Sequence, residues 1–199
     1  NALLMELPFH FHRTPGGEVN GGLILTGDVV RTVRALRQAV LDVRLVMEWV
    51  RAAATGPVGL FGNSLGGLVA ALTAVATDRL DFLILNTPAL DLAASVLEDG
   101  VWKESRGDLL RRWQGHEELV RRALRIVTPR YFPLRLPRER VLLIEACYDL
   151  LAPAPHTEAL WEAWGHPPRM RYRHGHITNF ALNGLGIWGV SCEFIRSLS

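Results

Sequence analysis

Apolar residues fall along this chain in two textures. Short apolar runs bounded by glycine, proline or polar residues occupy positions 2–7, 56–61, 80–85 and 141–147, with a more mixed one at 167–172. Runs of this length predict strands, most of them buried on both faces. The second texture is periodic. Val29, Val33, Leu36, Val40, Val43, Met47 and Val50 recur in steps of four and three, which lays one apolar stripe down a long helix. Thr26 or Asp28 can cap its start. Residues 65–76 (LGGLVAALTAVA) are apolar all round and predict a buried helix. A further helix over about 156–164 stops at Gly165, and a closing helix is predicted over 186–198. Strand and helix thus alternate through most of the chain. That order predicts an α/β fold with a mostly parallel sheet and helices on both faces.

Between 92 and 140 the texture changes to Arg- and Glu-rich helical pieces carrying Trp102 and Trp113. Gly100, Gly107, Gly115, Pro129, Pro133 and Pro137 interrupt them. Lying between two strands, this stretch is expected to be an insertion that caps a site at the strand ends. The arginines and tryptophans read first as solvated helix faces and as packing residues.

Composition narrows the class. At 199 residues and 49% apolar content, one domain with a sizeable core is expected. A formal charge of +2 is too small to argue for nucleic acid. Cys147 and Cys192 offer no disulfide framework, so a reducing, cytoplasmic setting is expected. No charge occurs from Ala52 to Thr77, yet Gly56, Pro57, Gly59, Gly62, Gly66 and Gly67 divide that stretch into strand and helix. A membrane span is not expected there. The chain opens at Asn1, already inside an apolar run, and is expected to be part of a longer protein that could carry a targeting segment upstream.

The decisive chemistry is Gly62-Asn63-Ser64-Leu65-Gly66, placed between the 56–61 strand and the 65–76 helix. A G-x-S-x-G turn in that setting is a nucleophile elbow, which exposes the serine Oγ at a strained apex. Gly62 and Gly66, lacking Cβ, are expected to let strand and helix close around the bend. The bland alternative is a glycine-rich turn that happens to hold a serine.

A serine hydroxyl needs a base, and the base needs an acid that fixes its tautomer. In the order Ser, acid, His, the chain offers Asp149 just past the 141–147 strand and His176 after the last strand. Both sit where open α/β sheets collect their sites. Asp91 and Glu145 are the rival acids, and His174 is the rival base. His176 is preferred because Gly175 is expected to let the loop turn the imidazole back toward the serine. Leu65 N–H is the expected oxyanion donor, with its partner donor upstream of Asn1. His10 and His12 lack a third ligand at a recognisable spacing and read as loop histidines. No cofactor or metal is called for.

With these residues in hand, the chain resembles the α/β-hydrolase superfamily, and within it the alpha/beta hydrolase domain-containing protein 18 family. The narrower likeness rests on Leu7-Pro8-Phe9-His10 with Arg13, on Gln38-Ala39-Val40 with Asp42 and Arg44, and on Gly62 to Gly67. Asp149 and Gly175-His176 extend it over nearly the whole chain. Asn63 departs from the more usual His or Met before the serine. The resemblance implies the α/β-hydrolase fold, lacking its N-terminal strands. It also implies a serine hydrolase that uses Ser64, Asp149 and His176 on small-molecule esters or related acyl bonds. Amide hydrolysis, acyl transfer and a non-catalytic scaffold are the alternatives. Trp102, Trp113, Tyr131 and Phe132 point to an apolar group under the cap.

Overall fold

The computed structural model describes residues 1–98 and 102–198. Its strands are β1 (Leu60–Asn63), β2 (Leu83–Asn86), β3 (Val141–Ala146) and β4 (Arg169–Tyr172). They form one sheet in the order β1-β2-β3-β4, every neighbour parallel. Leu60 pairs with Leu83, Leu83 with Val141, and Leu143 with Arg169. All of β2 and β3 is buried, as expected of central strands with both faces covered.

Seven helices surround the sheet among the described residues: α1 (Val29–Ala53), α2 (Leu65–Ala76), α3 (Leu92–Leu97), α4 (Lys103–Arg112), α5 (Glu117–Leu124), α6 (Ala154–Ala163) and α7 (His176–Ser197). Alternate side chains of each strand leave on opposite faces. Leu83, Leu85, Val141 and Leu143 pack with Met47 of α1, with Ala70, Ala71 and Ala74 of α2, and with Leu160 of α6. Ile84, Leu142 and Ile144 pack on the other face with Ile187 of α7. Asp28 caps α1, its Oδ1 accepting from Arg31 N–H at 2.9 Å.

The 92–140 stretch, of which Gly100 lies outside the described residues, holds α3, α4 and α5 followed by short 3₁₀ turns. Their apolar residues Leu92, Val96, Leu109, Val120 and Leu124 join Leu36, Leu68 and Leu72 in a shared core. A polar clamp at Gly27 ties α4 to the turn before α1. Gly27 N–H donates to Asp108 Oδ2 at 2.8 Å, and Trp113 Nε1–H donates to Gly27 O at 3.1 Å. The Gly27 amide first, then Arg112, holds the Asp108 carboxyl below its ordinary pKa. A carboxylate whose pKa is lower folded than unfolded adds stability above its unfolded pKa and loses it as pH falls through the folded value. Asp108→Asn is therefore expected to lower Tm by a few degrees at pH 7. In a thermal-melt series the gap should close as the pH drops below the ordinary aspartate range.

Three expected elements differ. The 56–61 run forms a strand only from Leu60, running on to Asn63, and as the end strand of the sheet it is not buried on both faces: Phe61 is 46% exposed. Residues 2–7 form no strand; no neighbouring strand pairs with them, and Leu4 is fully exposed. A strand signal is half a statement about a partner, and here the partner is missing among the described residues. The closing helix starts at His176 rather than at 186. Gly184, Gly186 and Gly189 depress helix propensity there, and exposed Ile177, Phe180, Leu182 and Leu185 blur the stripe. Among the described residues no helix is long and apolar enough to cross a membrane.

Candidate active site

Ser64 sits at the β1–α2 junction with φ 52° and ψ −119°, a backbone region that non-glycine residues occupy only when their surroundings enforce it. The surroundings do. Ser64 N–H donates to Asn86 O at 3.0 Å, while Ser64 O accepts from Ala89 N–H at 3.0 Å and Gly67 N–H at 2.9 Å. The turn after β2 therefore grips the elbow from both sides. A Cβ on Gly62 would run into Gly66 O and lie 2.7 Å from Gly67 Cα; one on Gly67 would lie 2.7 Å from Pro88 Cβ. Gly66, expected to matter for this closure, has open space where its Cβ would be. The glycines that admit the bend are Gly62 and Gly67.

Asp149 leaves β3 in a tight turn. Cys147 N–H donates to Tyr172 O at 2.8 Å and Tyr148 N–H to His174 O at 3.0 Å, which zips the exits of β3 and β4 together. Asp149 Oδ1 accepts from Leu151 N–H at 2.9 Å and Ala152 N–H at 2.8 Å, an Asx-type arrangement that fixes the carboxylate. Oδ2 is left for His176.

His176 is the first residue of α7. Its Nδ1 lies 2.6 Å from Asp149 Oδ2 and its Nε2 lies 2.8 Å from Ser64 Oγ. A carboxylate only accepts, so Nδ1 carries the proton and donates to Asp149, which leaves Nε2 to accept from the serine hydroxyl. The side chains of His176 and Asp149 are 13% and 1% exposed, so the pair works almost out of water. Gly175 has φ −88°, open to any residue. The imidazole is aimed by the helix start, where Gly175 N–H donates to Thr178 Oγ1 at 2.9 Å, and glycine's freedom is not used.

The rival acids are engaged elsewhere. Asp91 caps α3 through Ala94 N–H at 3.0 Å and pairs with Arg130 at 2.9 Å. Glu145, buried on β3, pairs with Arg171 at 2.8 Å and Arg169 at 3.3 Å, and its hydrogen bond raises the Arg171 pKa above the ordinary guanidinium value. His174 enters the β3–β4 zipper through its carbonyl oxygen. His10 Nδ1 is 2.9 Å from Pro8 O, and His12 Nδ1 is 2.8 Å from Glu6 Oε1. Trp102 and Trp113 pack against the α1–α2 core, and Tyr131 stacks beneath Arg125 and Arg130.

Asn86 and Asn179 also belong to the site, and the strand and helix patterns pass over both. The only sequence signal is at Asn86, a polar residue directly ending an apolar run. Asn86 Nδ2 donates to Asn63 Oδ1 at 2.6 Å, and Asn179 Nδ2 donates to Asn86 Oδ1 at 3.1 Å.

Comparison with known proteins agrees with this architecture. The model of the family described as "Alpha/beta hydrolase domain containing 18" matches residues 1–124. Two uncharacterized proteins of Mycobacterium tuberculosis, from strains CDC 1551 and H37Rv, are each 30% identical over 186 residues. The match covers 90% of this chain and 43% of each relative, so the chain spans under half their length. An acetyl xylan esterase from Paenibacillus sp. R4 superposes with a TM-score of 0.60 at 18% identity, covering 78% of this chain and 53% of that one. A monoacylglycerol lipase from Paleococcus ferrophilus does so at 0.54 and 16% identity, covering 82% and 76%. At such identities the likeness is one of fold.

Proposed function

The chain belongs to the alpha/beta hydrolase domain containing 18 family, and from that membership together with the geometry around Ser64 we propose that it is a serine hydrolase acting on carboxylic esters or related acyl bonds. The observation that carries this is the unbroken line from Ser64 Oγ through the His176 ring to Asp149 Oδ2, anchored on a strained serine. The esterase and lipase among the structural neighbours support an ester substrate.

In this mechanism Ser64 Oγ attacks the acyl carbonyl carbon while His176 Nε2 takes the hydroxyl proton. Asp149 holds the ring tautomer and stabilises the imidazolium. Leu65 N–H, at the free start of α2, faces the developing oxyanion, and the twelve-residue helix adds its positive dipole end. Collapse of the tetrahedral intermediate expels the alcohol, which receives the proton from His176. Water then attacks the acyl-enzyme with His176 as base, releasing acid and restoring Ser64. No cofactor enters any step. The chain leaving β2 passes beside Ser64, where Ala89 N–H donates to Ser64 O, before it enters the inserted helices, whose apolar residues pack on the α1–α2 core. Free Cys147 and Cys192 fit a cytoplasmic setting.

The test is turnover of a chromogenic p-nitrophenyl ester by wild type and Ser64→Ala. Removing such a nucleophile lowers turnover by about a millionfold where it has been measured. A loss of at least 10⁴-fold, roughly, is expected, and a loss of less than about tenfold overturns the assignment.

A further inference from the structure

α7 carries His176 on its first turn, yet apolar packing does not hold that end of the helix. Ile177, Phe180, Leu182 and Leu185 are exposed. The buried residues of α7 are Asn179, Ile187 and Ser191, and its contacts with Ile84, Leu142 and Ile144 begin at Ile187. At 1.5 Å per residue, Ile187 lies about 16 Å along the axis from His176. Asn179, with no exposed surface, is therefore the one buried residue on the first turns of α7.

Its partner is Asn86, which also has no exposed surface. Asn86 is a hub. Its backbone oxygen accepts the Ser64 N–H at 3.0 Å, its Nδ2 donates to Asn63 Oδ1 at 2.6 Å, and its Oδ1 accepts from Asn179 Nδ2 at 3.1 Å. Thr87 Oγ1–H adds a longer bond to Asn63 Oδ1 at 3.4 Å, and Asn183 Nδ2 one to Asn179 Oδ1 at 3.4 Å. A buried amide left unpaired is penalised heavily, so the members of such a network hold one another in register.

We propose that Asn86 and Asn179 are positioning residues that hold the α7 start against the elbow and so set the distance between His176 and Ser64. The proposal rests on the serine-hydrolase assignment. Neither amide touches the reacting atoms. A displacement on the order of 1 Å in a catalytic pair lowers rate by about 10²-fold, and this is the scale expected when the bond between the two amides is lost.

The experiment uses the full chain as wild type, Asn86→Ala, Asn179→Ala, the double variant and Leu185→Ala. Ester kcat and KM and the rate of fluorophosphonate labelling are measured below each variant's Tm. Either alanine at 86 or 179 should lower kcat and labelling roughly 30- to 100-fold with KM within about threefold. The double variant should be no worse than the poorer single, because the two act through one bond. Leu185→Ala, on the same helix but 91% exposed and outside the network, should stay close to wild type. If Asn86→Ala does not fold, Asn179→Ser, which removes the amide and keeps a small polar group, carries the test. Variants that lose Tm but keep kcat per folded molecule overturn the positioning role and leave the assignment of Ser64 intact. A folded wild type inert to ester and probe overturns the assignment itself, and positioning with it.

Discussion

His176→Ala is expected to abolish ester turnover, by about 10⁵- to 10⁶-fold, while the protein stays folded. The ring is the only base the structure places against Ser64 Oγ among the described residues, at 2.8 Å. Without it the hydroxyl keeps its proton and the leaving alcohol has no acid. The residual rate should match that of Ser64→Ala, and the two substitutions together should cost no more than either, because they remove one unit. Asp149→Asn separates orientation from proton transfer. Oδ1 can still accept from Leu151 and Ala152, but an amide nitrogen facing Nδ1 favours the wrong tautomer. A loss of roughly 10⁴-fold is expected. Steady-state kinetics beside far-UV circular dichroism checks both variants.

The largest effect on stability is expected at Gly62. An added Cβ would collide with Gly66 O and approach Gly67 Cα at 2.7 Å and Ala70 Cβ at 2.8 Å. These belong to the α2 backbone and a buried helix residue, and none can swing aside as a flexible side chain would. Overpacking of this kind costs typically 1–3 kcal/mol, and Gly62→Ala should reach the upper end, about 3 kcal/mol, because strand and helix must part. Gly66→Ala is the control. Nothing lies within 4 Å of its Cβ position, and alanine improves helix propensity, so its Tm should be unchanged or slightly higher. Urea unfolding of the two proteins decides the matter; equal midpoints would contradict the close-approach account.

Much of this arrangement is legible in the sequence because it is local. The α1 stripe and the run at 141–147 each state their own burial. The turn around Ser64 announces its geometry within a few residues, and the order of Ser64, Asp149 and His176 matches the order in which strand exits deliver them. The missing parts depend on partners far along the chain. Residues 2–7 have strand composition but no neighbour to pair with among the described residues. The pentapeptide draws the eye to Gly66, whereas Gly67 is the tight position because Pro88, from the next strand's turn, presses on it. Asn86 and Asn179 lie 93 residues apart, and no periodicity connects two amides across that gap. Likewise Glu145 reads as a candidate acid until Arg169 and Arg171 of the adjacent strand are seen to neutralise it.

The central proposal is an activated Ser64, and covalent capture addresses it without any knowledge of the substrate. The protein is treated with a fluorophosphonate, its intact mass is recorded, and the modified peptide is sequenced by tandem mass spectrometry. One adduct per chain is expected, on Ser64, absent from Ser64→Ala and formed far more slowly by His176→Ala. A folded protein that takes up no phosphonyl group, or takes it up elsewhere, would contradict the proposal.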